Sequence, residues 1–550
     1  MKKLIFLFFL INSLNLTAQN MGEWTWMKGS DTLFSPGVFG TKGVPDTSNY
    51  PPALYESCSW TDTAGNFWMF GGVGIGVTAF NTLWKFTPQN NIWTWISGSN
   101  LNGDLGNKGI KGIPSATNCP SARGWGIMCW SDKNNNLWLY GGVGGNSDVF
   151  QDLWKYNITS NEWTWMSGTD TPPNITNFGI KGVASINNNP PQVRENNCVW
   201  VDDSNNLWFF GGLDEWDDYY NDLWNYKTST NEWTWIYGNA LPNTPINFGQ
   251  KGIPDTNNNP GGRCSYSSFK DNLGNLYFFG SWNNFVNLSL LNDIWKYNTI
   301  TNTWTWVSGD IIINGTGNYG SICNADINIA PRSRLENRSS WSDSCGLWIF
   351  GGWMESWDEL SDLWRYNFTN NMWTRISGTM NLNEPTIYNS YQISTSSNKP
   401  GGRGGSVSWT DKKGNLWLFG GLKEMNLKND LWRYVPDTNC AKCIPKSNPP
   451  IPNSDTLNPE IKIPNIFTPN ADGINDKFEI IAKNYKSYYL QVFNRWGVLV
   501  FESKDTATLW DGTIHNRGNA CSDGVYFYIL NLIDFKQNTT QYKGSITILR

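Results

Sequence analysis

The sequence predicts an all-β protein: a six-bladed β-propeller closed by its own N-terminal strand, followed by a small C-terminal Ig-like β-sandwich. Three observations carry that expectation. A hydrophobic stretch ending in Gly-Gly (Gly-Ser once) recurs at Gly71, Gly141, Gly211, Gly280, Gly351 and Gly420, at spacings of 69–71 residues. Each copy sits among short runs of period-2 alternation with no helical period, so each unit is a set of strands. The array opens on what reads as a lone fourth strand, Trp24-Thr25-Trp26, and stops at a third strand, Asn429 to Tyr434, so its two ends complete one blade between them.

In chain order, residues 1–19 read as a secretory signal peptide: a basic start (Met1-Lys2-Lys3), an apolar run from Leu4 to Ile11, and the small residue Ala18. The run is about half of the ~20 apolar residues that a membrane span needs. No later stretch approaches that length, so the mature chain is expected to be soluble, exported and without a transmembrane segment.

Residues 20–436 hold the repeats. Each unit has an inner strand such as Cys58-Ser-Trp60, then the strand before the glycine pair, such as Leu137-Trp138-Leu139-Tyr140. A third strand follows, such as Asp152-Leu153-Trp154-Lys155-Tyr156, and then Trp-Thr-Trp at Trp93, Trp163, Trp233 and Trp304, with Trp373-Thr-Arg as the last copy. Alternation puts both tryptophans of a triplet on one face. Asp-x-x-Gly-Asn or Asn-Asn-Asn joins the first two strands, a tight turn whose Gly or Asn accepts positive φ. Four strands in six copies give the propeller.

An arginine leads into five inner strands, at Arg123, Arg194, Arg263, Arg334 and Arg403. An aspartate opens the same five third strands, at Asp152, Asp222, Asp293, Asp362 and Asp430. The first unit has Leu54 and Thr82 instead and lacks both. Joint presence and joint absence predict a structural ion pair inside each blade. Gly-Gly, then Asp-Leu-Trp-x-Tyr, then Trp, after an inner-strand arginine, resembles the kelch repeat over about residues 22–436. The units are longer than usual because of an insertion, Phe/Tyr-Gly-x-Lys-Gly-Val/Ile-Pro, as at Phe39–Pro45 and Phe248–Pro254. Similar insertions are familiar in exported kelch proteins of the Bacteroidota.

Residues 437–460, with prolines 445, 449, 450, 452 and 459, read as an extended linker. Residues 461–550 then carry about seven short alternating strands with Gly/Asp turns, which suits a small antiparallel sandwich. Ile463-Pro464-Asn465-Ile466-Phe467-Thr468-Pro469-Asn470, Asp472-Gly473-Ile474-Asn475-Asp476, Val492-Phe493-Asn494-Arg495-Trp496-Gly497, Trp510-Asp511-Gly512 and the terminal Leu549-Arg550 look like the gliding motility-associated C-terminal domain. That domain is the type B sorting module of the type IX secretion system. The resemblance implies Sec export, then recognition of residues 461–550 by the type IX machinery and passage across the outer membrane for release or surface display. Asp472, Asn475 and Asp476 form either a calcium site or an Asx-turn.

Composition narrows the function. With 41 basic against 46 acidic residues the net charge is −5, which gives no footprint for nucleic acid. The kelch family includes a copper-radical oxidase whose metal is held by histidines. The single histidine here, His515, lies outside the propeller, so that chemistry is not expected, and no cofactor or metal is assigned. Of the ten cysteines, Cys58 and Cys198 share a repeat position and read as small buried residues. Cys440 and Cys443 read as a short clasp at a domain end.

Most of the 34 tryptophans stand at repeat positions and are scaffold. Those that break register follow the glycine pairs of units three to five: Trp216-Asp217-Asp218-Tyr219, Trp282, and Trp353 with Trp357-Asp358-Glu359. They are expected at the end of the ring that carries the long insertions and variable loops, where aromatic faces beside carboxylates suit a sugar ring or a surface protein. The competing readings are packing of those loops on one another, a sugar enzyme built on Asp217, Asp218, Asp358 and Glu359, and an accessory subunit of a surface complex.

Overall fold

A computed structural model describes residues 21–440 and 460–550, apart from residues 146–147, 170–175, 192–197, 215, 217, 265–266, 283–288, 337, 425, 471–474, 484–486, 505–507 and 534–538. The chain divides into two compact units, Met1–Ile444 and Pro445–Arg550. Both are all-β: among the described residues the only helical turns are the short 3-10 segments Ile75–Val77 and Ile514–Asn516.

In the first unit the repeats fold into six antiparallel sheets of four main strands, five of them running in sequence order from the first strand of the repeat to the fourth. The second sheet, for example, consists of Met128–Ser131, Asn136–Tyr140, Leu153–Asn157 and Glu162–Ser167. The sixth takes Val407–Thr410, Leu416–Phe419 and Leu431–Tyr434 from the end of the array and Trp24–Lys28 from its beginning, with Trp26 opposite Trp432.

Hydrogen bonds between sheets run in a cycle. The indole Nε1 of Trp60 in the first sheet donates to the carbonyl of Trp138 in the second, at 3.1 Å. Trp130 reaches Trp208, Trp200 reaches Tyr277, Trp341 reaches Trp417, and Trp409 in the sixth sheet returns to Trp68 in the first. The fourth sheet has Phe269 at this position, which lacks an N–H and instead stacks on Phe368 of the fifth at 4.4 Å.

The glycine pairs are explained at the same seam. Gly71 and Gly72 have φ of 68° and 102°, which side chains rarely adopt. The Gly72 N–H donates to the Arg123 carbonyl of the next sheet at 2.9 Å. A side chain on Gly71 would stand 2.5 Å from that carbonyl oxygen. Gly212 to Arg263, Gly352 to Arg403 and Gly421 to Leu54 repeat the bond.

The insertions do not project from the end of the ring, as the sequence suggested, but lie along the outermost strands. Asp46, Ser115, Ser185 and Asp255 bridge to Trp93, Trp163, Trp233 and Trp304, and Ala325–Asp326 adds a short fifth strand to the fifth sheet. An outermost strand otherwise shows a row of unpaired backbone groups, and the insertion covers it. A buried asparagine fastens four of the insertions: Asn188 Nδ2 donates to the carbonyls of Val183 and Trp233, both at 2.9 Å, and Asn49, Asn118 and Asn258 do the same in their sheets. The insertion lysine completes the fastening. Lys181 Nζ stands 4.2 Å from the Trp235 ring centre and donates to the Gly238 carbonyl at 2.6 Å, and Lys42, Lys111 and Lys251 repeat this on Trp95, Trp165 and Trp306.

The fifth sheet departs from this scheme. Its triplet ends in Arg375, whose guanidinium faces Tyr319 of the insertion, so cation and aromatic have changed places. Here Cys323 is disulfide-bonded to Cys440, which corrects the expected Cys440–Cys443 clasp. Cys323 takes the insertion position whose N–H meets the outer strand, at the Arg375 carbonyl, and the chain leaving the sixth sheet passes beside it. Cys345 is also disulfide-bonded, and Cys443 lies outside the described residues. Cys58 and Cys198 are buried and not disulfide-bonded.

The second unit has seven strands among its described residues. Five form a sheet in the order Ile466–Phe467, Thr539–Ile548, Gly524–Ile533, Ser487–Phe493, Leu499–Ser503, and Glu460–Lys462 pairs with Ile481–Lys483. The first pair of the larger sheet is parallel, so the sheet is not purely antiparallel. Phe467, Phe478, Val492, Phe501, Trp510 and Leu530 fill its core.

Candidate functional site

Four of the five ion pairs expected from the repeats lie within the described residues, and each is formed and buried. Arg334 donates through Nη1 and Nη2 to the two carboxylate oxygens of Asp362 at 2.8 and 2.9 Å, and Arg403 to those of Asp430 at 2.7 and 3.0 Å. Arg123 holds both oxygens of Asp152, and Arg263 Nη1 reaches both oxygens of Asp293. Asp222 is buried, and its proposed partner Arg194 lies outside the described residues. Nη1 of Arg123, Arg334 and Arg403 also donates to the first carbonyl of the sheet's own glycine pair, so the arginine ties inner strand, glycine turn and third strand together. Burial alone would raise the Asp362 and Asp430 carboxyls, but their arginines outweigh it and hold both below the usual range.

Sequence reasoning missed a third member of these clusters. The tryptophan two residues after the aspartate donates its indole N–H to the same carboxylate, at 2.7 Å for Trp154, Trp224, Trp295 and Trp364 and 2.8 Å for Trp432. The Asp-x-Trp spacing is the signal, since a buried indole N–H needs an acceptor. The aspartate of each tight turn plays the same part: Asp62 accepts from the Trp68 indole at 2.9 Å. In the first sheet Thr82 replaces the aspartate, and neither Thr82 Oγ1 nor Trp84 Nε1 has a hydrogen-bond partner.

The off-register residues separate into two groups. Tyr219, Trp282, Trp353 and Glu359 are buried. Tyr219 packs edge-on to Trp282 at 5.9 Å, and both share a core cluster with Trp353 and Leu422. Glu359 pairs with Lys423 at 3.1 Å and accepts the Glu424 N–H. Four of the expected binding residues are therefore packing residues. Trp216 and Trp357 remain outside, 76% and 54% exposed. Asp217 lies outside the described residues.

The remaining carboxylates are engaged by their own loops. Asp218 accepts from Asn243 Nδ2 at 2.6 Å, and Asp358 accepts from Asn383 Nδ2 at 2.7 Å and from Ser356 Oγ at 2.5 Å. Those bonds hold Asp358 below its ordinary pKa, the reverse of what a proton-donating acid needs. Asp218 and Asp358 thus brace the loops that display Trp216 and Trp357.

A second charged cluster lies at the entries to the inner strands, where Glu56 and Arg338 form an ion pair between the first and fifth sheets. Glu56 donates its N–H to the Gly405 carbonyl, and Gly405 donates to that of Glu336. Glu56 and Glu336 adopt φ of 58° and 49°, and burial raises the Glu56 carboxyl against the opposing pull of Arg338. Both groups are buried, and the pair links the first and fifth sheets at the entries to their inner strands.

In the C-terminal unit Asp476 Oδ1 accepts the Asn470 N–H at 3.0 Å, a turn-capping bond, while Asp472 lies outside the described residues. His515 is exposed in a polar turn.

Residues 103–315 match the KLHDC2/KLHL20/DRC7 Kelch-repeats domain, and residues 461–548 match the CHU_C Type IX secretion signal domain. No curated protein matches the chain. The chain thus combines kelch repeats with a C-terminal type IX secretion signal domain. That domain indicates export to the cell surface or beyond and interaction with the secretion machinery. No helix among the described residues is long and apolar enough to cross a membrane.

Proposed function

We propose that this is an exported kelch propeller of six blades, spanning residues 20–436, that acts by binding a glycan or protein ligand outside the cell. Residues 1–19 direct it through Sec, residues 437–460 link the modules, and residues 461–550 hand it to the type IX machinery. The observation that carries the binding reading is the state of the carboxylates beside Trp216 and Trp357. Asp218, Asp358 and Glu359 are consumed by Asn243, Asn383 and Lys423, which leaves exposed aromatic surface on braced loops and no unengaged acid–base pair among these residues. Such a surface suits recognition.

Two measurements test the reading. Deleting residues 461–550 should keep the protein in the periplasm, whereas the full chain reaches the medium or cell surface. The purified full-length protein should bind on a combined glycan and extracellular-protein array, with Trp216→Ala/Trp357→Ala weakening the hit. Turnover of a glycoside panel without stable binding would overturn it.

A further inference from the structure

Two thiols from neighbouring sheets meet between the first and second sheets. Cys58 opens the inner strand Cys58–Thr61 of the first sheet, and Cys129 lies in the inner strand Met128–Ser131 of the second. Both belong to the apolar layer packed between those sheets, together with Trp60, Ile127 and Leu139. The Ser59 N–H donates to Cys129 Sγ at 3.4 Å, and Cys129 Sγ donates to the Ser59 carbonyl at 3.5 Å. That sulfur therefore stands beside the Cys58–Ser59 peptide bond, and the Cys58 thiol donates to it as well. A disulfide needs two side chains that converge from close backbones, and these do. The backbone bonds alone do not call for sulfur. At another seam a hydroxyl makes them: Ser268 Oγ accepts the Val199 N–H at 3.2 Å and donates to the Val199 carbonyl at 2.8 Å. At the positions of Cys58 and Cys129 the other seams place at most one cysteine; Met128 with Val199 and Cys198 with Ser268 are the next two.

The setting favours a crosslink. The C-terminal domain takes the chain out of the cytoplasm, where thiols are no longer kept reduced, and the Cys323–Cys440 disulfide is already formed. The first sheet also has the most to gain. Thr82 stands where five other sheets have an aspartate, so this sheet lacks the buried arginine–aspartate tie, and Trp84 Nε1 has no acceptor. The two sulfurs are not equivalent. Cys58 is buried and Cys129 partly exposed. Burial alone would raise the Cys129 thiol, but bonds from Cys58 and the Ser59 N–H hold it below the ordinary thiol value, while burial pushes Cys58 well up. Cys129 is thus the sulfur that ionises first and that an oxidant reaches first.

We propose that Cys58 and Cys129 are a disulfide-forming pair, and that in the exported protein their bond staples the first sheet to the second. The oxidant is a protein disulfide of the thiol-exchange class. The Cys129 thiolate attacks one sulfur of that disulfide and expels the other as a thiolate, which takes up a proton. Cys58 then loses its proton and attacks Cys129 Sγ, expelling the oxidant's second sulfur as a thiol. The pair gives up two electrons and two protons, and the oxidant leaves as a dithiol. The test starts from full-length protein recovered outside the cell, denatured in an alkylating reagent without reductant and digested with trypsin. Mass spectrometry should find Gly43–Lys85, whose one cysteine is Cys58, joined to Gly124–Lys133, whose one cysteine is Cys129, at two hydrogens below their summed mass. Recovery of both peptides alkylated and unlinked, or of Cys58 joined to another cysteine, overturns the proposal. Cys129→Ser keeps the hydroxyl that Ser268 supplies at its seam, and should melt below the wild type without reductant. In reductant the two should melt together. A linked peptide with no melting difference overturns the stapling role, and a difference that persists in reductant assigns it to packing and overturns it too.

Discussion

Asp362 is gripped by Arg334 through two parallel hydrogen bonds of 2.8 and 2.9 Å, with both side chains buried. Tyr319 and Trp364 donate to the same carboxylate at 2.6 and 2.7 Å, so four bonds converge on one aspartate between three strands and the insertion. Removing the arginine strands a buried charge. Arg334→Ala should cost about 3–5 kcal/mol, read as a lowered urea midpoint. Arg334→Lys should recover little, because an ammonium cannot reproduce the planar two-point contact. Near wild-type stability in either variant would mean that the pair does not support the fold.

The same clusters set a pH dependence. The Asp362 and Asp430 carboxyls are lowered in the folded state, so their stabilisation is present above the unfolded value of ~3.9 and is lost as pH falls through the folded values. The melting temperature should drop steeply below about pH 4. The gap between wild type and Asp362→Asn should narrow over that window. A constant gap from pH 6 to pH 3 would contradict the lowered values.

The first sheet offers a gain-of-interaction test. Trp84 Nε1 lacks the acceptor that its counterparts have. Thr82→Asp alone supplies one but buries a carboxylate without a guanidinium, and should destabilise by roughly 3 kcal/mol. Adding Leu54→Arg should return at least about 1 kcal/mol relative to the sum of the single changes. Strict additivity in the cycle would mean that the first sheet cannot accommodate the pair.

Fastening of the insertions should be unequal. Asn188→Ala removes two hydrogen bonds, to the Val183 carbonyl and to the Trp233 carbonyl that the Ser185 N–H also reaches, and should cost about 1–3 kcal/mol. Lys181→Met removes a partly exposed cation from the Trp235 ring and should cost about 0.5–2 kcal/mol. Hydrogen exchange of the Glu232–Tyr237 amides should rise more in the asparagine variant, and the reverse order would place the fastening on the lysine.

The fold was legible because its signals are local and repeated: the glycine pair, the alternating strands, and the displaced fourth strand at Trp24–Lys28. The Arg334 and Asp362 positions were legible too, because Leu54 and Thr82 break the pattern together. Asn188 and its equivalents were not, since one stapling asparagine looks like any turn asparagine in so asparagine-rich a chain. The candidate site was half legible. Tyr219 and Trp282 read as free because they follow the glycine pair, but strands Leu207–Leu213, Tyr219–Lys227 and Leu276–Trp282 continue past that point and turn these rings into the core. Cys323 was likewise silent, as its partner Cys440 is distant in sequence and only the fold brings them together.

The claim that this protein works by binding through Trp216 and Trp357 is tested most directly by titrating its array-selected ligand against wild type and the Trp216→Ala/Trp357→Ala variant. Melting curves serve as the folding control. Both side chains are largely outside the core, so the variant should melt with the wild type while its Kd rises at least tenfold, about 1.4 kcal/mol. An unchanged Kd in a variant that melts normally would place the binding surface elsewhere and contradict the account.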